Sequence, residues 1–296
     1  MARKYQVPSG LSTQRLPTPL PRATRQACRE PRFALRYAAD EVAWRIVNFV
    51  LRILANSATH SQWRRNTVLD ILVVAPHPDD AEIGAGGAIL KSKAQGFAVG
   101  VLDLTDGEPT PLGSPEIRAR ETAAATEILG LDWRENLGLP NRKLLPTLEA
   151  RAKLAGVFRL TRPRWILAPY WVDAHPDHLA ATELVEAARF WAKLSKTDLP
   201  GRPHYPERIF YYYGFHLRQI PQPAFILDIS ECFEKKRAAI ECYRSQFVDN
   251  QPPDPPTFLD RLAGWATVWG HAIGARYGEP LASRQPIGLS GFGGLV

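Results

Sequence analysis

The apolar residues of this chain fall into two rhythms. Leu69-Asp70-Ile71-Leu72-Val73-Val74-Ala75 is a near-continuous apolar run, as expected of a strand buried on both faces. Ala98 to Leu104 and Trp165 to Pro169 read the same way, and Ile209 to Phe215 and Ala224 to Ile229 are later strands. Between them the period lengthens to that of helices. One is expected over about Gly86 to Gln95. Another runs from Ser114-Pro115 to Leu129, with Ser as cap, Pro at the first helical position and Gly130 as the stop. Further helices are expected over Leu179 to Leu194, Cys232 to Phe247 and Phe258 to Tyr277. Strands alternating with helices predict an α/β fold: a Rossmann-like, mostly parallel sheet with helices on both faces and a site at the C-terminal strand ends.

Before Val68 the rhythm is different. Residues 1–38 are rich in Pro and Arg. In Asp40 to Ala55, apolar residues cover most of a helix, while Glu41, Arg45, Asn48 and Arg52 make a narrow polar stripe. This segment is too short and too charged to span a membrane. It reads as a dispensable extension or a packing helix in preference to a membrane-surface anchor. Two parts follow: a basic extension over 1–67 and a catalytic domain over 68–296.

Charge supports this division. Residues 1–69 hold 12 of the 37 Lys/Arg and 3 of the 30 Asp/Glu, a surplus of nine positive charges, and the remainder carries −2. The high overall charge is therefore no sign of nucleic-acid binding. Cys28, Cys232 and Cys242 make no disulfide framework and suit reduced thiols in the cytoplasm.

Two turns carry the chemistry. Pro76-His77-Pro78-Asp79-Asp80 follows the first strand, and His175-Pro176-Asp177-His178 follows the strand at Trp165 to Pro169. Open α/β sheets place ligand crevices at such positions. Two His and one carboxylate are a recurrent ligand set for catalytic zinc. A carboxylate that is not a ligand can accept a proton from water, and a second His can stabilise an oxyanion. The turns contain one residue for each task. Three of the seven histidines are used. His60, His204 and His271 lack such neighbours, and His216 either lines the pocket or is a satisfied core histidine. Gly84-Ala85-Gly86-Gly87 lacks the full G-x-G-x-x-G dinucleotide pattern and reads as a turn with close helix–strand packing.

The stretch Ala75 to Gly84, paired with His175-Pro176-Asp177-His178, resembles the LmbE/PIG-L zinc deacetylases, with the bacillithiol-biosynthesis branch the nearest likeness. Asp103 to Glu108, Glu116-Ile117-Arg118, Asn136 to Arg142, Tyr243 to Phe247 and Arg276 to Pro280 extend the resemblance. It implies one zinc ion per chain on His77, Asp80 and His178. It also implies Asp79 as general base, and His175, oriented by Asp177, for oxyanion or acid work. Glu82 would support the ligands from behind, and Arg118 and Asn141 would contact substrate. Asn141 stands where relatives often carry Asp, and Ala174 where bacillithiol-type members often carry Arg. The implied substrate is a small amino-sugar conjugate such as GlcNAc-malate. A metal-dependent phosphoesterase and a non-catalytic sugar-binding module are the alternatives. The sequence leaves a homo-oligomer open.

Overall fold

The computed structural model describes residues 67–217, 219–249, 252 and 254–291. The amphipathic segment at 40–55 and the rest of the expected extension, Thr67 excepted, lie outside the described residues. The chain runs β1 (Ile71–Ala75), α1 (Asp80–Ala94), β2 (Val99–Asp103), α2 (Pro115–Leu129), β3 (Trp133–Asn136), α3 (Leu148–Thr161) and β4 (Trp165–Pro169). It continues with α4 (Pro176–Ala192), β5 (Arg208–Tyr212), β6 (Phe225–Asp228), α5 (Phe233–Glu241), α6 (Arg244–Phe247), α7 (Phe258–His271) and β7 (Gly278–Ala282).

The strands form one seven-stranded sheet in the order β3-β2-β1-β4-β5-β7-β6. β1 to β5 pair in parallel, and β7 pairs antiparallel with both β5 and β6. β1 and β2 are buried along their whole length, as their unbroken apolar runs require. α1, α2 and α5 pack together, and α3 packs on α4. Right-handed crossovers place these two groups on opposite faces of the sheet. The chain leaves β1 towards β2 but enters β4 on the other side of β1. The two motif turns therefore meet at the switch point between β1 and β4, where open α/β sheets have their crevice.

Local signals were reliable where they were strong. Ser114 Oγ accepts from Ile117 N at 3.2 Å, Pro115 opens α2, and Gly130 closes it in the left-handed region at φ 66°. Other boundaries moved. α1 starts at Asp80, not near Gly86, so the glycine cluster lies inside a helix and not in a turn. Its packing role is clear: a Cβ on Gly84 would lie 2.2 Å from the Tyr212 ring, and one on Gly87 would lie 2.4 Å from Ile229. The helix expected over Cys232 to Phe247 breaks into α5 and α6 at Cys242 and Tyr243. β3, α3 and β7 are additional to the elements read from the sequence. Cys232 and Cys242 are free thiols. No helix among the described residues is long and apolar enough to cross a membrane.

Candidate metal centre

His77, Asp80 and His178 each offer a ligand atom within 4.8 Å of the others. Asp80, on the first turn of α1, lies between the two imidazoles. Its Oδ2 is 3.0 Å from His77 Nδ1, and its Oδ1 is 3.3 Å from His178 Nε2. The remaining nitrogen of each ring faces another carboxylate: His77 Nε2 is 3.2 Å from Asp177 Oδ2, and His178 Nδ1 is 3.0 Å from Asp173 Oδ2. Carboxylate–histidine pairs of this kind fix ring orientation and raise ligand basicity around metals. The donor set therefore fits a zinc ion.

Asp79 is in a strained conformation. Its φ of 124° lies in a region that L side chains rarely adopt. It caps α1, yet its side chain makes no capping hydrogen bond. Instead Asp79 Oδ2 accepts from Arg118 Nη1 at 2.8 Å. Arg118 also donates to Pro78 O at 2.8 Å and to Glu108 Oε1 at 3.2 Å, and it is only 3% exposed. Burial and the nearby charge of Asp80 push the Asp79 carboxyl up to about 7, against the pull of Arg118.

His175 caps α4, and its Nδ1 accepts from the backbone N–H of Asp177 at 3.2 Å. That bond leaves Nε2 as the proton-bearing nitrogen of the neutral ring. Burial, together with the charges of His178 and His77, lowers the His175 pKa. The expected orientation of His175 by the Asp177 carboxylate is not the arrangement seen. That carboxylate faces His77 and accepts from Arg142 N at 2.8 Å and Leu144 N at 3.3 Å.

The other expected contacts divide. Glu82 is fully buried and pairs with Arg134 Nη1 at 2.6 Å and Tyr243 Oη at 3.2 Å, apart from the ligand cluster. Arg134 Nε donates to Asp103 Oδ2 at 2.8 Å. Asn141 Nδ2 donates to Glu108 O at 3.0 Å, while its Oδ1 is buried without a partner.

Asp173 was not among the residues expected from the sequence, and His216 was expected either in the pocket or in the core. Asp173 accepts from His175 N at 2.7 Å through one oxygen and faces His178 through the other. Its signal was a carboxylate two residues before the second motif. His216 was left between two roles, and its ring lies 5.5 Å from His175 and 5.8 Å from His178.

A family model for PIG-L, GlcNAc-PI de-N-acetylase, matches residues 72–189. The chain is 31% identical to the diacetylchitobiose deacetylase of Thermococcus kodakarensis over 72% of its length and 82% of that protein. It belongs to the PIG-L/LmbE family. This family member also resembles the 4-oxalmesaconate hydratase of Pseudomonas putida, at 29% identity over 59% of this chain and 73% of that one. The crystal structure of a conserved protein from Thermus thermophilus superposes with a TM-score of 0.69 at 43% identity, covering 75% of this chain and 97% of that one. Proteins of this likeness thus include an N-deacetylase and a hydratase, on the same α/β scaffold.

In this PIG-L centre, burial opposes protonation of His178. Asp80's charge and hydrogen bonds to Asp173 and Asp80 outweigh it, raising the pKa to about 10. Asp80, by the same attractions, is held well below the usual carboxylate range despite its burial. In the metal-free chain the raised His178 pKa stabilises the fold fully below 6.5, and that stabilisation is lost as pH rises towards about 10. A cation must displace that proton. Zinc affinity is therefore expected to rise about tenfold per pH unit through the neutral range. Competition titrations against a chromophoric chelator measure this, and a flat profile would refute it. Asp173→Asn is expected to weaken zinc binding by roughly 10–100-fold with the fold intact, read in the same titration.

Proposed function

We propose that the chain is a zinc-dependent hydrolase that removes the acetyl group from an N-acetylglucosamine conjugate, with a GlcNAc-malate-like compound as one candidate. The observation that carries this reading is Asp79, a carboxylate outside the proposed ligand set of His77, Asp80 and His178, held by Arg118 in a strained turn beside that set. Zinc on these three residues would polarise the acetamide carbonyl and lower the pKa of water.

Asp79 takes the proton of the attacking water. Burial raises its affinity for a proton, which suits a group that must accept a proton and then return it. His175, with Nε2–H as donor, stabilises the tetrahedral oxyanion. The C–N bond then breaks, and the proton held by Asp79 passes to the leaving amine. Arg118 positions the base through its hydrogen bond to Asp79 Oδ2. Asn141 retains a buried, unsatisfied acceptor at Oδ1, which suits a sugar hydroxyl. A phosphoesterase of the two-metal kind needs two adjacent ligand sets. Among the described residues, both candidate His/Asp groups share His77. The free thiols of Cys232 and Cys242 fit a cytoplasmic enzyme.

Acetate release from GlcNAc, diacetylchitobiose and GlcNAc-malate tests the proposal. Zinc-dependent release from at least one supports it. No release from any of them, with zinc bound, would overturn it.

A further inference from the structure

Beside the metal centre lies a cavity of about 80 Å³. Its walls are Tyr213, Phe215 and Leu217 on one side and Leu262, Trp265 and Trp269 of α7 on the other. Lys236 and Glu279 are also exposed to it, but they pair at 2.6 Å. Glu279 further accepts from Gly87 N and Ala88 N. Among the described lining residues, then, no charge asks for a counter-ion. What remains is a mainly aromatic and aliphatic slot, with the Gln219 amide at its exposed edge and, inside, the Tyr213 hydroxyl, which is buried and has no hydrogen-bond partner.

The slot and the metal centre share a rim. Tyr213, Phe215 and Leu217 line the slot. His216, between the last two, has its ring against His175 and His178. Gly214 is the partition: a Cβ there would lie 2.7 Å from Asp173 Oδ2 and 3.1 Å from His178 Nδ1. Neighbouring Cα atoms are only about 3.8 Å apart, so the mouth of the centre at His216 adjoins the slot at Leu217. The outer edge is open and apolar, with Ile220 63% and Trp265 41% exposed.

We propose that this slot is an aglycone subsite, which takes an apolar or aromatic group attached to the amino sugar held at the metal centre. The proposal rests on the deacetylase reading. Polar sugar hydroxyls would find few partners among these walls, whereas an aryl or short alkyl group buries apolar surface against Trp265, Trp269 and Phe215.

The test compares methyl and phenyl glycosides of GlcNAc, each as both anomers, in the zinc-loaded full chain. Wild type is expected to favour a phenyl glycoside in kcat/KM by about tenfold or more, the usual worth of a filled apolar pocket. Trp265→Ala and Ile220→Ala, both at the open rim, should bring that preference to within about twofold. Absence of a phenyl preference, or its survival in both variants, would overturn the subsite. Calorimetric binding of phenyl glucoside, which has no acetamide, provides a readout independent of catalysis. Equal binding by wild type and Trp265→Ala defeats the subsite alone. Binding lost in the variant, with no acetate released from any glycoside, supports the slot and defeats the deacetylase reading.

Discussion

Asp79→Asn is expected to lower kcat by roughly 10²–10⁴-fold, the usual contribution of a general base, while zinc content stays at the wild-type level. The asparagine keeps the size and the hydrogen-bond acceptor that faces Arg118 Nη1 at 2.8 Å, but it cannot take a proton. Metal analysis by plasma emission and steady-state acetate release check the two halves. Retained turnover would remove Asp79 as the base, and lost zinc would make it a ligand. A companion variant separates chemistry from backbone. At a φ of 124° glycine is at ease where aspartate is not. Asp79→Gly should be equally inactive; it relieves about 1–3 kcal/mol of strain while removing one of the two carboxylates that pair with buried Arg118, so its melting temperature reads which of the two is larger. A lower melting temperature for the glycine variant would mean that the Arg118 ion pair outweighs the strain.

Arg134→Met is expected to destabilise the fold by about 3–5 kcal/mol, the cost of leaving a buried charge without its partner. Arg134 is buried between Glu82 and Asp103, at 2.6 and 2.8 Å, and also donates to Tyr243 Oη at 3.1 Å. Burial opposes its charge, and the two carboxylates more than restore it. Methionine fills similar volume but strands both acids, at 0% and 2% exposure. Arg134→Lys should lie between, since an ammonium cannot reproduce the fork that reaches both partners. Denaturant unfolding measures the series. Wild-type stability in the methionine variant would show that the acids are satisfied by other groups.

What was legible in the sequence follows from where the signal lies. β1, β2 and β4 are buried on both faces and announce themselves as apolar runs. β3 reads Trp-Arg-Glu-Asn and sits at an edge of the sheet, where no apolar run is required. β7 contains Pro280 and runs against its neighbours, a pairing set by tertiary context alone. α3 did carry its marks: a Thr147 cap whose Oγ1 accepts from Ala150 N, and Arg162 closing it at φ 48°. Leu154, Ala155 and Phe158 also keep helical spacing, so this helix is legible in the sequence. At the centre, the close packing of the six motif residues was legible, because one turn directly follows buried β1 and the other follows buried β4 after five intervening residues, 170–174. The assignment of carboxylates to rings was not. Asp177 faces His77 across 100 residues of chain, and Asp173 faces His178. No local spacing encodes that choice.

The separation of the two turns has a consequence for how the protein folds. His77 and Asp177 are 100 residues apart in the chain. They meet only because β4 pairs with β1 on the side opposite β2 and β3. An unfolded chain offers two isolated fragments of a chelate, so a cation would bind the native state and little else. Zinc would then act as a linked stabiliser, raising the melting point with its free concentration. By binding the folded site and not its separated halves, it would slow unfolding more than it hastened folding.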